Sequence, residues 1–139
     1  MRLLNFLFVF IMLFTSSCDP HDTRLKIINS TDENVFYVIS GNDSLHYSPL
    51  YIQGQDTIWD LSSMIKPKSE INEAMVGSEG WEDYIKSESK DNNLRVYFFD
   101  EKLIEKYSWE SLLQNNQYSK LYRLSIAELE KNGWLIEYE

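Results

Sequence analysis

Six consecutive residues, Leu94-Arg95-Val96-Tyr97-Phe98-Phe99, leave few folds open to this chain. In a strand, successive side chains point to opposite faces. Leu94, Val96 and Phe98 then face one way, and Arg95, Tyr97 and Phe99 the other. Both sets are largely apolar, so this strand is expected at the centre of a sheet that is covered on both sides. Such a strand needs partner strands and covering layers, and the flanking sequence offers candidates for both.

Upstream, Leu25–Ile28 and Val35–Ile39 are rich in β-branched and aromatic residues and flank the polar run Asn29–Asn34. Two such runs around a polar loop predict a β-hairpin. Gly41-Asn42-Asp43-Ser44 predicts the next turn. Residues 45–77 are less patterned. Leu50–Ile52, Thr57–Trp59 and Glu70–Val76 are the strand candidates there, with Pro67 as punctuation.

Downstream, helices are expected between strands. Ser78 is placed to cap one through its side-chain oxygen, and Trp81, Tyr84 and Ile85 fall on one helical face. A helical turn over Asp100–Lys106 carries Leu103 and Ile104. Ser108 caps a further helix with Trp109, Leu112 and Leu113 on one face, ended by Asn115-Asn116. Tyr118–Leu124 predicts a strand. Ser125-Ile126-Ala127-Glu128 matches a capping box, and Gly133 stops the helix that follows. In Trp134–Tyr138 the alternation turns Trp134, Ile136 and Tyr138 inward. Trp81-Glu82 and Trp109-Glu110 open similar patterns, which we read as two helices meeting one packing requirement rather than as a duplication.

The first residues speak to location. Met1-Arg2 is followed by an apolar run, Leu3–Phe14, then Thr15-Ser16-Ser17 and Cys18, the chain's one cysteine. A basic start, a short apolar core and small residues at the exit are the parts of an export signal. The run is shorter than the roughly 20 residues that a membrane-spanning helix needs. The order resembles a bacterial lipoprotein signal, with Thr15 where that signal usually has Leu. The resemblance implies cleavage of residues 1–17 and lipidation of Cys18. Residues 18–23 would then be a lipidated cysteine and tether, and residues 24–139 a single globular domain. Attachment through more than one acyl chain, such as palmitate, gives a stable anchor. Asp19 and Asp22 form a thin version of the acidic stretch that follows the lipidated cysteine in surface-exported lipoproteins of Bacteroidetes. The outer membrane is therefore expected ahead of the inner.

Composition narrows the function. Losing the leader, whose one charge is Arg2, takes the net charge from −9 to −10. That argues against nucleic acid as a partner. With Cys18 committed to lipid, no intrachain disulfide remains, so stability must come from packing. All four Trp and all nine Tyr lie beyond the leader.

The C-terminal part also resembles a family. Val96–Asp100, Tyr107-Ser108-Trp109-Glu110, Tyr118, Tyr122–Ser125, Glu128–Glu130 and Trp134–Tyr138 are similar to small uncharacterised lipoproteins of Bacteroidetes. These share a strand, a "YSWE" helix, a "Y-x-L-S/T" step and a final "W-x-I" strand. The resemblance covers residues 94–138 and, loosely, the 24–39 segment. It implies location and fold, and it carries over no catalytic, cofactor or metal residue.

The chemistry-bearing residues are sparse. His21 and His46 are the two histidines and lack metal-ligand spacing. A serine or cysteine nucleophile beside a base is not evident, and the five glycines are scattered rather than forming a phosphate loop. Acids cluster at Asp32/Glu33, Glu82/Asp83, Asp100/Glu101 and Glu128/Glu130, where solvated faces and helix starts are expected. Trp59 is the best candidate for an exposed stacking tryptophan. Ser44 and Thr57, in Asp43-Ser44-Leu45 and Asp56-Thr57-Ile58, resemble O-glycosylation sites of Bacteroidetes and are expected in turns.

The expected fold is α+β, a mainly antiparallel sheet with short helices between the C-terminal strands. A β-sandwich with helical insertions is the alternative. The expected function is a lipid-anchored cell-envelope component, non-catalytic, that binds or structurally supports another envelope component, a protein or a glycan. A carboxylate-based envelope hydrolase and a membrane-displayed inhibitor or immunity protein are the alternatives. Two acids lining one cleft would favour the hydrolase.

Overall fold

The computed structural model describes residues 20–139, apart from 44, 46–50, 54–55 and 59–63. Cys18, Ser44, His46 and Trp59 lie outside the described residues. In chain order the strands are β1 (His21–Asp22), β2 (Lys26–Asn29), β3 (Val35–Ser40), β4 (Tyr51–Gln53), β5 (Asp56–Ile58), β6 (Met64–Ile65), β7 (Ser69–Asn72) and β8 (Met75–Val76). Helix α1 (Gly80–Glu88) leads to β9 (Asn93–Asp100), α2 (Glu101–Lys106) and α3 (Trp109–Gln114). Strand β10 (Lys120–Ser125), α4 (Ile126–Lys131) and β11 (Leu135–Tyr138) complete the chain. This is the expected α+β architecture, with mostly antiparallel pairing.

The two-faced strand β9 is central, as its sequence requires. The larger sheet runs β10-β9-β3-β6 and is antiparallel throughout. On one face Leu94, Val96 and Phe98 share an apolar interior with Val35 and Tyr37 of β3 and with Ile27 and Ile136 of the smaller sheet. On the other face Tyr97 and Phe99 pack with Phe36, Val38, Trp109 and Leu112. Adjacent residues thus serve opposite layers. Phe98 stacks on Tyr138 of β11 at 4.9 Å, whereas Phe99 meets Trp109 of α3 edge-on at 5.3 Å. Fully burying a side chain of this size stabilises the fold by about 1.5–3 kcal/mol.

The smaller sheet, β11-β2-β7, corrects one expectation. Strands β2 and β3 do not form a hairpin. Strand β2 pairs in parallel with β11 and antiparallel with β7, placing Ile136, Ile27 and Ile71 in one row. The polar run after β2 crosses between the two sheets instead of turning back. Asn29, fully buried, holds that crossing. Its amide nitrogen donates to the carbonyls of Glu33, Ile65 and Lys66, and its carbonyl accepts from the backbone N–H and hydroxyl of Thr31. A side chain that satisfies this much backbone replaces the ladder that a hairpin would have supplied.

A second correction concerns the tether. His21 and Asp22 pair antiparallel with Val76 and Met75, so the described fold takes in β1 ahead of Arg24. Thr57, expected in a turn, lies in β5 opposite Ile52 of β4. The C-terminal caps follow the sequence closely. Ser125 and Glu128 form the capping box, Asp100 caps α2 by accepting from the N–H of Leu103, and Ser108 Oγ accepts from the N–H of Ser111. Gly133 is left-handed after α4, and Trp134 is left-handed too, at φ 60°. A bulky residue there is strained. Burial of the indole and the Arg24 guanidinium 4.3 Å over its ring offset that strain.

Candidate functional site

A groove of about 500 Å³ opens beside α1. That falls within the roughly 300–1,000 Å³ typical of small-ligand sites. Its walls come from three places: Ile39–Asn42 at the end of β3, Glu73–Met75 from the end of β7 into β8, and Trp81, Tyr84 and Glu88 on α1. Trp81 and Tyr84 meet edge-on at 6.0 Å, with Trp81 buried behind the half-buried Tyr84, whose ring supplies the aromatic surface of that wall. Glu73 and Glu88 are the acids of the lining, and no basic residue is among the described lining residues.

The position of α1 defines the groove, and charged residues remote in sequence hold both of its ends. Ser78 does not cap the helix. The N-cap is Glu79, which makes no side-chain capping bond. The carboxylate of Asp22, from β1, takes that role and accepts from the backbone N–H of Trp81 at 3.2 Å. Arg24 grips the same carboxylate through Nε and Nη2 at 2.9 and 2.7 Å and also pairs with Glu82 of α1. The Arg24 hydrogen bonds hold the Asp22 carboxyl below the usual carboxylate range despite its burial. A negative charge at a helix start also favours the aligned backbone dipoles.

At the far end of α1, Arg95 reaches from β9 into a polar cluster while only 3% of its side chain is exposed. Nε donates to Asp43 at 2.7 Å, Nη2 to Asp91 at 2.7 Å, and Nη1 to the carbonyls of Gly41 and Asn93 at 3.1 and 3.0 Å. Nη1 also lies 3.4 Å from the hydroxyl of Ser89. Burial works against the charge on Arg95, but the bonds to Asp91 and Asp43 outweigh it and raise its pKa. The same bonds lower both carboxyls, and Arg123 adds a second pairing to Asp43. Arg95 therefore ties the β3 turn to the segment following α1. Gly41 completes the contact, because a Cβ there would lie 2.7 Å from the backbone of Glu88.

Two side chains beside the groove are set from within the fold. Trp81 is 1% exposed, and its indole N–H has no hydrogen-bond partner among the described residues. A buried unmade donor costs about 1–3 kcal/mol, which the burial of the ring has to outweigh. Glu73 is oriented from within the fold. Its Oε1 accepts from the hydroxyl of the core residue Tyr37.

The residues singled out in the sequence mostly lie elsewhere. His21 is exposed on β1, and among the described residues no group of three His, Cys, Asp or Glu is placed to hold a metal ion. The acid pairs are used structurally: Glu33 pairs with Lys102, Glu82 with Arg24, Asp100 caps α2, and Glu128 closes the capping box. Trp81, Trp109 and Trp134 are buried, as their helical and strand spacing implied. Glu73 and Glu88 were not among the sequence candidates, and neither stands in a motif that local pattern would single out. No helix among the described residues is long and apolar enough to cross a membrane. Comparison of the chain with protein-family models, curated proteins and solved structures returned no match.

Proposed function

We propose that this protein is a lipid-anchored component of a bacterial cell envelope that binds another envelope molecule in the groove beside α1. The leader and Cys18 support the anchoring, and the outer membrane is the favoured site. The observation that carries the binding role is the groove itself, with Ile39, Met75 and Tyr84 lining it beside the acids Glu73 and Glu88. Apolar and aromatic walls with a few polar groups are the usual make-up of a ligand site.

Two measurements test this reading. A Cys18→Ala form should leave the membrane fraction, and its retention would contradict the anchor. Ala74 is exposed at the groove, so Ala74→Trp should fill the site without disturbing the core. Envelope material that crosslinks to the wild type should be lost with Ala74→Trp, and equal recovery by both would contradict the binding role.

One observation favours a second reading, a carboxylate-based hydrolase: Glu73 and Glu88 line the same groove. Paired carboxylates flanking a glycosidic bond can hydrolyse it. Turnover of envelope glycans that is abolished by Glu73→Gln and by Glu88→Gln would establish this reading in place of simple binding.

A further inference from the structure

We propose that the outward face of the β1–β8 ribbon, carrying His21 and Val76, lies against the lipid headgroups of the membrane that holds Cys18. The inference rests on the anchoring part of the proposed function and adds which way the anchored domain faces. In an antiparallel pair, residues directly opposite each other project to the same side of the ribbon. His21 stands opposite Val76, and Asp22 opposite Met75. Burial follows that division. Asp22 is buried and Met75 half-buried, whereas His21 and Val76 are exposed. At 64% exposed, Val76 is the most exposed large apolar side chain among the described residues. A lone exposed apolar residue is ordinary in itself. Its place is what matters here, because it pairs with a residue three positions after Cys18.

The second observation is how little chain separates this ribbon from the anchor. The carbonyl of Pro20 accepts from the backbone N–H of Gly77 at 2.7 Å, so the chain is tied to the end of β8 from Pro20 onward. Asp19 alone lies between Pro20 and Cys18. Two fully extended residues reach at most about 7 Å, close to the roughly 5–8 Å depth of one headgroup layer. That reach is too short to lift the ribbon clear of the membrane. The ribbon is also fixed to the rest of the fold. Asp22 accepts from the N–H of Trp81, and Arg24 joins Asp22 to Glu82 of α1. How the ribbon faces therefore decides how α1 and the domain behind it face. Moving Val76 from water into the boundary of headgroups and acyl chains favours the outward face as the one apposed. The chain's net charge of −9 selects zwitterionic over anionic headgroups.

The test uses the lipidated protein, its acyl groups confirmed by intact mass. It is reconstituted into vesicles of phosphatidylethanolamine and phosphatidylcholine, part of the latter carrying a nitroxide on its headgroup. Val76→Cys and Glu110→Cys each supply one thiol for a fluorophore, because the sulfur of Cys18 is taken up by the lipid. Glu110 is exposed on α3, which packs against the opposite face of the larger sheet. The label on Val76→Cys should lose at least about threefold more of its emission to the nitroxide than the label on Glu110→Cys. His21→Cys, on the same outward face, should match Val76→Cys. All three side chains are exposed, so each variant should keep the circular dichroism spectrum of the wild type.

Equal quenching of Val76→Cys and Glu110→Cys, or stronger quenching of Glu110→Cys, would overturn the orientation while leaving the anchor in place. Quenching of Val76→Cys without that of His21→Cys would overturn it as well, since the two share one face. The anchoring fails on different results: an intact mass equal to that of the polypeptide alone, or retention of Cys18→Ala in the membrane fraction.

Discussion

Helices α1 and α3 both open on a Trp-Glu pair and both bury their tryptophan, yet they are held by different means. Trp109 and Leu112 fix α3 against Phe99 and the outer face of the larger sheet, and Ser108, one residue before the helix, caps it. Helix α1 also buries Trp81 and Ile85, in the interior between the sheets. Its ends, however, are set by Asp22 and Arg24 from the start of the described chain and by Arg95 from β9. Both helices gain stability from apolar burial. What distinguishes α1 is that its placement depends on residues far away in sequence, and its placement defines the groove.

The comparison is broken most severely through α3's own packing. Leu112 is fully buried, so Leu112→Ala should cost about 2–5 kcal/mol in a urea unfolding series and leave the groove's ligand affinity unchanged in the fraction that remains folded. Next comes Arg95→Ala. It removes hydrogen bonds to the carbonyls of Gly41 and Asn93 and should cost about 2–4 kcal/mol. Unlike Leu112→Ala it should also weaken groove binding, because the β3 turn is released from α1.

Asp22→Asn should cost less, about 1–3 kcal/mol, since the amide still offers the N–H of Trp81 an oxygen while losing the charge paired with Arg24. Its pH dependence has a definite sign. The folded Asp22 carboxyl is held below its usual range, so its contribution is complete above about pH 4 and is lost as pH falls through the lower folded value. The wild type should therefore lose more stability than Asp22→Asn between pH 4 and more acidic conditions. Parallel acid titrations of the two would contradict the pairing. The smallest effect belongs to Ser108→Ala, about 0.5–1 kcal/mol, with no change at the groove.

The same contrast explains what could be read from the sequence. The C-terminal half was legible because its determinants are local. The Ser125/Glu128 capping box, Ser108 three residues before its bonded N–H, and the two-faced pattern of Leu94–Phe99 all act over a few positions. The β2–β3 hairpin was misread because the deciding residue, Asn29, bonds to carbonyls 36 and 37 residues away. The tether was misread for a similar reason. Asp19–Thr23 has no periodicity, and the burial of Asp22 follows from a helix that starts nearly sixty positions later. The groove was illegible because Ile39, Glu73 and Glu88 come together only through the sheets. Trp81 and Tyr84 were singled out beforehand only as the packed face of a helix, and Ile39, Gly41 and Asn42 only as strand and turn.

Amide hydrogen exchange, compared between the wild type and Asp22→Asn, tests most directly whether α1 is placed by remote charges. The account predicts that backbone N–H groups of α1, with Trp81 foremost, lose protection by about tenfold or more while those of α3 stay within about twofold. Equal changes in both helices, or no change in α1, would contradict it.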